Sequence, residues 1–228
     1  MNINHPPLIV GSAMKPNPKT IELDEKKWAS MPDEKTIRET AKSIGARGIK
    51  MIIVETGKNA LEKIKELIPE GATVMNGSST TLAEIGFMEY LESGNHKWTD
   101  MHKVIRSEND KQKRDDIRRK SATADYFLGS INAISKNGEL VACDASGSRV
   151  TAYPNAAKNL ILVAGVQKIT PNLEQALQRI REYAYPKEDK RAKDAYGAGS
   201  TIGKCVIIER EIFEGRTTLI LVKEKLGF

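Results

Sequence analysis

Short apolar runs separated by segments of helical period govern what this chain can fold into. The runs are Met51–Val54, Ala72–Met75, Leu160–Ala164, Cys205–Ile208 and Thr218–Val222. Runs of four or five residues bounded by glycine or polar residues suit strands covered on both faces, as in a parallel sheet. Between the first two, Lys58 to Ile68 repeats Leu61, Ile64 and Ile68 on one face, and Pro69 and Gly71 end that helix. After the second, Thr81 to Leu91 places Leu82, Ile85 and Met88 on one helical face. Strand, helix, strand in this order predicts a parallel pair with a right-handed crossover.

The flanking segments extend the pattern. Ile37, Ala41 and Ile44 mark an earlier helix, with Gly45 or Gly48 as its stop. Tyr126–Ser135 and Glu139–Asp144 flank Lys136-Asn137-Gly138, a hairpin signal, because Asn-Gly supplies the positive φ angles of a tight turn. Asn172 to Tyr183 turns Leu173, Ala176, Leu177 and Ile180 inward as a helix. Pro186 to Gly203 reads as a long polar loop, and the last two apolar runs as a closing pair of strands. The fold class is therefore α/β, an open, mostly parallel sheet flanked by helices. Residues 21–228 form one domain, after an arm over residues 1–20 that carries Pro6, Pro7, Pro16 and Pro18.

Composition narrows the setting. No run of about 18 apolar residues occurs, so no membrane span is expected. The start, MNINHPPLIV, lacks a basic region followed by a long apolar stretch, and a cytoplasmic protein is expected. Cys143 and Cys205 make no Cys-x-x-Cys pair, which excludes a four-cysteine iron–sulfur cluster held by this chain alone. Reduced thiols are the simple reading, with a disulfide between them left open. Net charge is +6, but charges of both signs are mixed and only 5% of residues are aromatic, so nucleic-acid binding is not expected. Glu108 to Lys120 interleaves acids and bases at helical spacing and reads as a solvated face.

Three loops could carry chemistry. Gly77, Ser78, Ser79, Thr80 and Thr81 lie between a strand and a helix, where backbone N–H groups, hydroxyls and the helix dipole favour an anion. The competing reading is helix capping, with Thr81 and Glu84 at capping-box spacing. Gly147 and Arg149 follow the hairpin, and a guanidinium fork suits a carboxylate or phosphate, although a salt-bridged surface turn explains them equally. Gly165 and Lys168 follow a buried strand, where open α/β sheets bind ligands. Glu84 is the one carboxylate beside the hydroxyl loop and the only candidate catalytic base. His96 and His102 are spaced wrongly for a helical metal pair, so no metal is expected. Gly197 to Gly203 lacks the preceding strand of a dinucleotide fingerprint, so no cofactor is expected, and it reads as a loop able to close over a ligand.

The same residues carry a family resemblance. Ser79-Thr-Thr-Leu-Ala-Glu-Ile-Gly86 resembles the Ser-x-Thr-Leu-x-Glu-x-Gly segment of LUD (lactate-utilisation) domain proteins, the family of LutC. Asp125 to Ile134 followed by Gly138-Glu-Leu, then Gly147-Ser-Arg149, Val163-Ala-Gly165 with Lys168, and Leu173 to Arg179 follow in the family's order. The resemblance spans about Ile37 to Arg181 and implies a fold similar to the NagB/RpiA/CoA-transferase group. It also implies a link to oxidation of L-lactate to pyruvate beside iron–sulfur partner proteins, with this chain as a LutC-like, cluster-free component. The carboxylate nucleophile of CoA transferases has no counterpart here. Three roles stay open at this point: an accessory or ligand-binding component with an anionic small-molecule site, a stand-alone enzyme on a phosphorylated sugar or CoA ester, and a metabolite sensor. A homo-oligomer is also left open.

Overall fold

The structure, a computed structural model, describes residues 23–228. The arm expected over residues 1–20 lies outside the described residues. Among the described residues ten strands occur in chain order: β1 (Lys50–Val54), β2 (Thr73–Asn76), β3 (Thr99–Asp100), β4 (Tyr126–Ser130), β5 (Ala133–Ser135), β6 (Leu140–Asp144), β7 (Asn159–Gly165), β8 (Ile169–Thr170), β9 (Lys204–Ile208) and β10 (Thr217–Val222). Six of them form a sheet in the order β1-β10-β7-β4-β2-β3, with every neighbour parallel. The other four form a second sheet, β8-β5-β6-β9.

The central strands are apolar on both faces because both faces are covered. Leu160, Leu162, Leu219, Leu221 and Phe127 point to one side, where they meet Ile37 and Ile44 of helix Glu34–Gly45 and Ile134, Leu140 and Ile208 of the second sheet. Ile161, Val163, Ile220, Val222 and Leu128 point to the other, against Ala60 and Ile64 of helix Gly57–Leu67 and Leu82, Phe87 and Leu91 of the next two helices. This strict alternation by two is what a pleated strand imposes.

Long-range pairing departs from the sequence reading in three places. β1 and β2 are parallel members of one sheet but not neighbours, because β10, β7 and β4 lie between them. The last two apolar runs do not pair with each other: β9 joins the second sheet beside β6, and β10 inserts between β1 and β7. The hairpin is real but short, formed by β5 and β6 alone around Gly138 at φ 101°, while Tyr126–Ser130 belongs to the large sheet.

Two helical segments also differ. The helix expected over Thr81–Leu91 is two helices, Thr80–Glu84 and Phe87–Ser93, because Gly86 adopts φ 79° between them. Most of the expected loop from Pro186 is helix Tyr185–Tyr196. Its proline sits in the first turn, which needs no N–H from it, and a π-helical turn at Ile180–Ala184 links it to helix Leu173–Arg179. Cys143 and Cys205 are joined in a disulfide rather than left as free thiols. The cause is register, since they are direct partners across the β6–β9 ladder with Cα atoms 4.3 Å apart. Helix Lys111–Lys120 buries no residue, as its interleaved charges require.

The connections place a crevice. From β2 the chain moves outward to β3, whereas from β4 it moves, by way of β5 and β6, to β7 on the opposite side. Diverging connections from adjacent parallel strands open a gap at their carboxyl ends, where ligands of α/β sheets bind.

Candidate functional site

At that gap the ends of three adjacent strands converge on one amine. Lys168 follows β7 and is 1% exposed. Its Nζ donates to Thr81 Oγ1 at 3.0 Å, Ser130 Oγ at 3.0 Å and the Ile131 carbonyl at 3.1 Å. Thr81 lies in the short helix after β2, and Ser130 closes β4. The two hydroxyls are themselves 3.2 Å apart. Tyr153, fully buried, donates its hydroxyl to the Ser130 carbonyl at 2.9 Å and fixes the strand end from the opposite face. Gly129 is glycine because a Cβ there would collide with that phenol oxygen.

A second cation lies beside the first. Arg179 is 0% exposed in helix Leu173–Arg179. Its Nε donates to the Trp28 carbonyl at 2.8 Å, Nη1 donates to the Asn132 carbonyl, and Nη2 has no partner among the described residues. The two cations thus hold the carbonyls of consecutive residues, Ile131 and Asn132. No ion pair with a carboxylate involves either one among the described residues. Burial pushes the Lys168 amine down to about 7, helped by the charges of Arg179 and Arg149 and opposed by Glu84. Burial also lowers Arg179, to about 10. Uncompensated buried charge is costly, and proteins tolerate it mainly where it serves a ligand or a reaction.

A strap covers this group. Residues 223–228 leave β10 and run over the carboxyl end of the sheet. The Gly227 N–H donates to Glu84 Oε2 at 2.6 Å, and Gln167 Nε2 donates to the Leu226 carbonyl at 2.7 Å. Glu224 Oε2 accepts from the Gly57 N–H at 2.8 Å, at the start of its helix. Gly227, at φ 60°, lies so close to Thr81 Oγ1 and Lys168 Nζ that a side chain would strike both. Gly165 plays the matching part beneath: a Cβ there would meet Gln167 and the strap backbone at Glu224 and Leu226. Close approach of backbone, not a positive φ, explains that glycine.

The remaining expected residues divide by role. Ser79 caps helix Thr80–Glu84 by accepting from the Leu82 N–H, so capping accounts for that hydroxyl. Glu84 is exposed and holds the strap rather than closing a capping box. Thr80 begins the helix, and Ser78 is exposed with its carbonyl accepting from Arg149 Nη1 at 3.1 Å. Arg149 Nη2 donates to the Cys143 carbonyl at 3.0 Å, so the fork ties the two loops together through backbone. Its aliphatic stem lies against Gly77, where a Cβ would overlap it. Gly147 takes φ 99° to begin the turn that carries Arg149. The 197–203 loop packs on its own helix and the Asp144 turn, with Ser200 N–H on Asp189 and Gly203 N–H on the Asp144 carbonyl. His102 hydrogen-bonds the Asn76 carbonyl and His96 stacks on Trp98. The sequence reading missed Ser130 and Arg179. Arg179 had a visible signal: with Ala176, Ile180 and Tyr183 it completes an inward face at i, i+3, i+4, i+7.

A family profile described as the LUD domain matches residues 37–222. Comparison with curated proteins finds no match. Among solved structures, the crystal structure of a DUF162 family protein from Deinococcus radiodurans is similar at a TM-score of 0.46 and 10% identity, covering 82% of this chain and 96% of that one. With the matched profile running from the helix before β1 to the end of β10, the chain belongs to the LUD domain family.

Proposed function

We propose that this chain is a ligand-binding component in lactate utilisation, and that it holds a small carboxylate at the carboxyl ends of β2, β4 and β7. The observation that carries the reading is the pair of buried cations, Lys168 and Arg179, with no carboxylate bonded to either and Arg179 Nη2 unpartnered among the described residues. A bound anion would satisfy that donor and restore the charged form of the Lys168 amine, since an opposite charge favours it. The hydroxyls of Thr81 and Ser130 would fix the ligand's orientation. Arg149 fits a supporting role, because both terminal nitrogens of its fork already serve carbonyls. The family's link to lactate utilisation supports a carboxylate as the ligand. A chain with two cysteines, joined to each other, leaves electron transfer to an iron–sulfur partner, which makes the role accessory and LutC-like.

Titration calorimetry with lactate, pyruvate and inorganic phosphate at pH 7.5 tests this reading, repeated in two buffers of different ionisation enthalpy. The expected result is binding of a carboxylate with uptake of a proton, lost in Lys168→Met and weakened in Arg179→Lys. Absence of binding by all three compounds would overturn it.

A further inference from the structure

We propose that Lys168 is an imine-forming amine, and that the ligand class it selects is a small oxo acid, a carboxylate bearing a ketone or aldehyde carbon. This rests on the carboxylate reading above and names the substrate class of that same site. An amine meant only to attract an anion works best charged and partly solvated, as on a protein surface. Lys168 is instead enclosed among Thr81, Ser130 and the Ile131 carbonyl, and its burial, with the charges of Arg179 and Arg149, disfavours its own charge. Near neutral pH a large share of it is the free amine, against roughly one part in a thousand or fewer for a solvated lysine. A free amine does not hold an anion by charge, but it attacks an electrophilic carbon. The two jobs then separate: Arg179 supplies the standing positive charge and, among the described residues, an unpartnered N–H donor for a carboxylate, while the part of Lys168 that is free amine supplies the nucleophile, and the protonated imine it forms carries the charge that the bound anion favours.

The hydroxyls complete the step. Imine formation joins Nζ to the carbonyl carbon, moves both amine protons in turn from nitrogen to the former carbonyl oxygen, and expels that oxygen as water, after which the imine nitrogen takes up a proton from solvent. Thr81 Oγ1 and Ser130 Oγ, each 3.0 Å from Nζ and 3.2 Å from one another, can pass those protons between nitrogen and the leaving oxygen. The reaction is a condensation with no change of oxidation state, so it needs no further reagent. Gly227 of the strap lies against both Thr81 Oγ1 and Lys168 Nζ, which places backbone where the ligand's carbonyl would sit. Entry of the ligand therefore requires the strap to lift there.

The test incubates the full chain with pyruvate or glyoxylate and sodium cyanoborohydride at pH 7, then maps modified lysines by peptide mass spectrometry. L-Lactate, which has no carbonyl, is the control. The expected result is one reduced adduct concentrated on Lys168, absent with lactate and absent in Lys168→Met, and formed several-fold more slowly in Ser130→Ala with the fold intact. Calorimetry on the same samples separates two failures. Oxo acid that binds without labelling Lys168, or labelling spread evenly over surface lysines, overturns the imine and leaves the anion site standing. Oxo acid that neither binds nor labels overturns both.

Discussion

Lys168 leaves a thermodynamic signature apart from any ligand. Its amine is pushed down to about 7 in the folded chain, against about 10.4 for a solvated lysine. Between those values the unfolded chain binds more protons than the folded one, so this group makes stability rise with pH from about 7 to about 10. Below pH 7 the full penalty of burying the charge is present, roughly 5 kcal/mol on the scale of such shifts. Lys168→Met should abolish that rise, whatever constant offset it adds by leaving Thr81 and Ser130 without their donor. Denaturant melts of both proteins at pH 6, 8 and 10 read the slope directly, and parallel pH profiles would show that the amine is not desolvated. Thr81 and Lys168 were legible in the sequence because each stands just past the end of a strand, at the start of the segment after it. Ser130 and Arg179 were not, because their roles come from β4 lying between β2 and β7, which no local pattern encodes. Arg149 was legible as a fork and as a salt-bridged turn, which its pairing with Asp144 at 3.7 Å matches, but not as a brace, since its other hold is the Ser78 carbonyl of a loop far away in sequence.

The strap shows how an element can be functional without periodicity. Residues 223–228 mix Lys, Glu, Leu, Gly and Phe and match neither helix nor strand. They are held by side chains from elsewhere, Gln167, Glu84 and Glu25, the last accepting from Lys225 Nζ at 2.6 Å. Gly165→Ala tests the strap at its tightest approach. Gly165 has φ −73°, so alanine strains no backbone there, but its methyl would overlap Gln167 Oε1 and the strap at Glu224 and Leu226. The overpacking should cost about 1–3 kcal/mol and fall on the strap, because β7 is locked between β10 and β4. Amide exchange should therefore quicken at Leu226 and Gly227 while Leu160–Ala164 stays protected, and equal protection at both would count against the strap as a separable cover. Glu25 gives the same region an acid limit. Hydrogen bonds from Lys187 and Lys225 hold its carboxyl at about 2, so its contribution is present above the ordinary carboxylate range and lost as pH falls through about 2. Glu25→Gln should lower stability slightly at pH 7, by well under 1 kcal/mol for so exposed a pair, with the difference shrinking as pH falls through about 2 and gone below it.

The two sheets are bound into one molecule by contacts that converge near the candidate site, and the disulfide is part of that frame. Apolar runs revealed that parallel strands exist, but not their order, because inserting β10 between β1 and β7 depends on contacts across most of the chain. Cysteine content likewise did not reveal the pairing, which appears only once the β6–β9 register puts Cys143 opposite Cys205. Both backbone groups of Cys143 face the site's scaffold: its carbonyl accepts from Arg149, and its N–H donates to Asn132 Oδ1 at 2.8 Å, beside the carbonyl that Arg179 holds. The bond closes a segment of sequence separation 62, and a constraint of that length limits the unfolded chain by about 2–4 kcal/mol. For a chain of this size that corresponds to a melting temperature roughly 5–15 °C lower after reduction. Cys205→Ser should match the reduced protein. The loss should be concentrated at β9, which among the described residues is an edge strand paired with β6 alone, so its amides should exchange sooner than those of β10, which is paired on both sides. Calorimetric scans with and without dithiothreitol, together with exchange on the reduced form, measure both effects. An unchanged melting temperature would mean that the ladder from Leu140 to Asp144 holds β9 without the covalent link, and that the frame around Arg149 and Arg179 rests on hydrogen bonds alone.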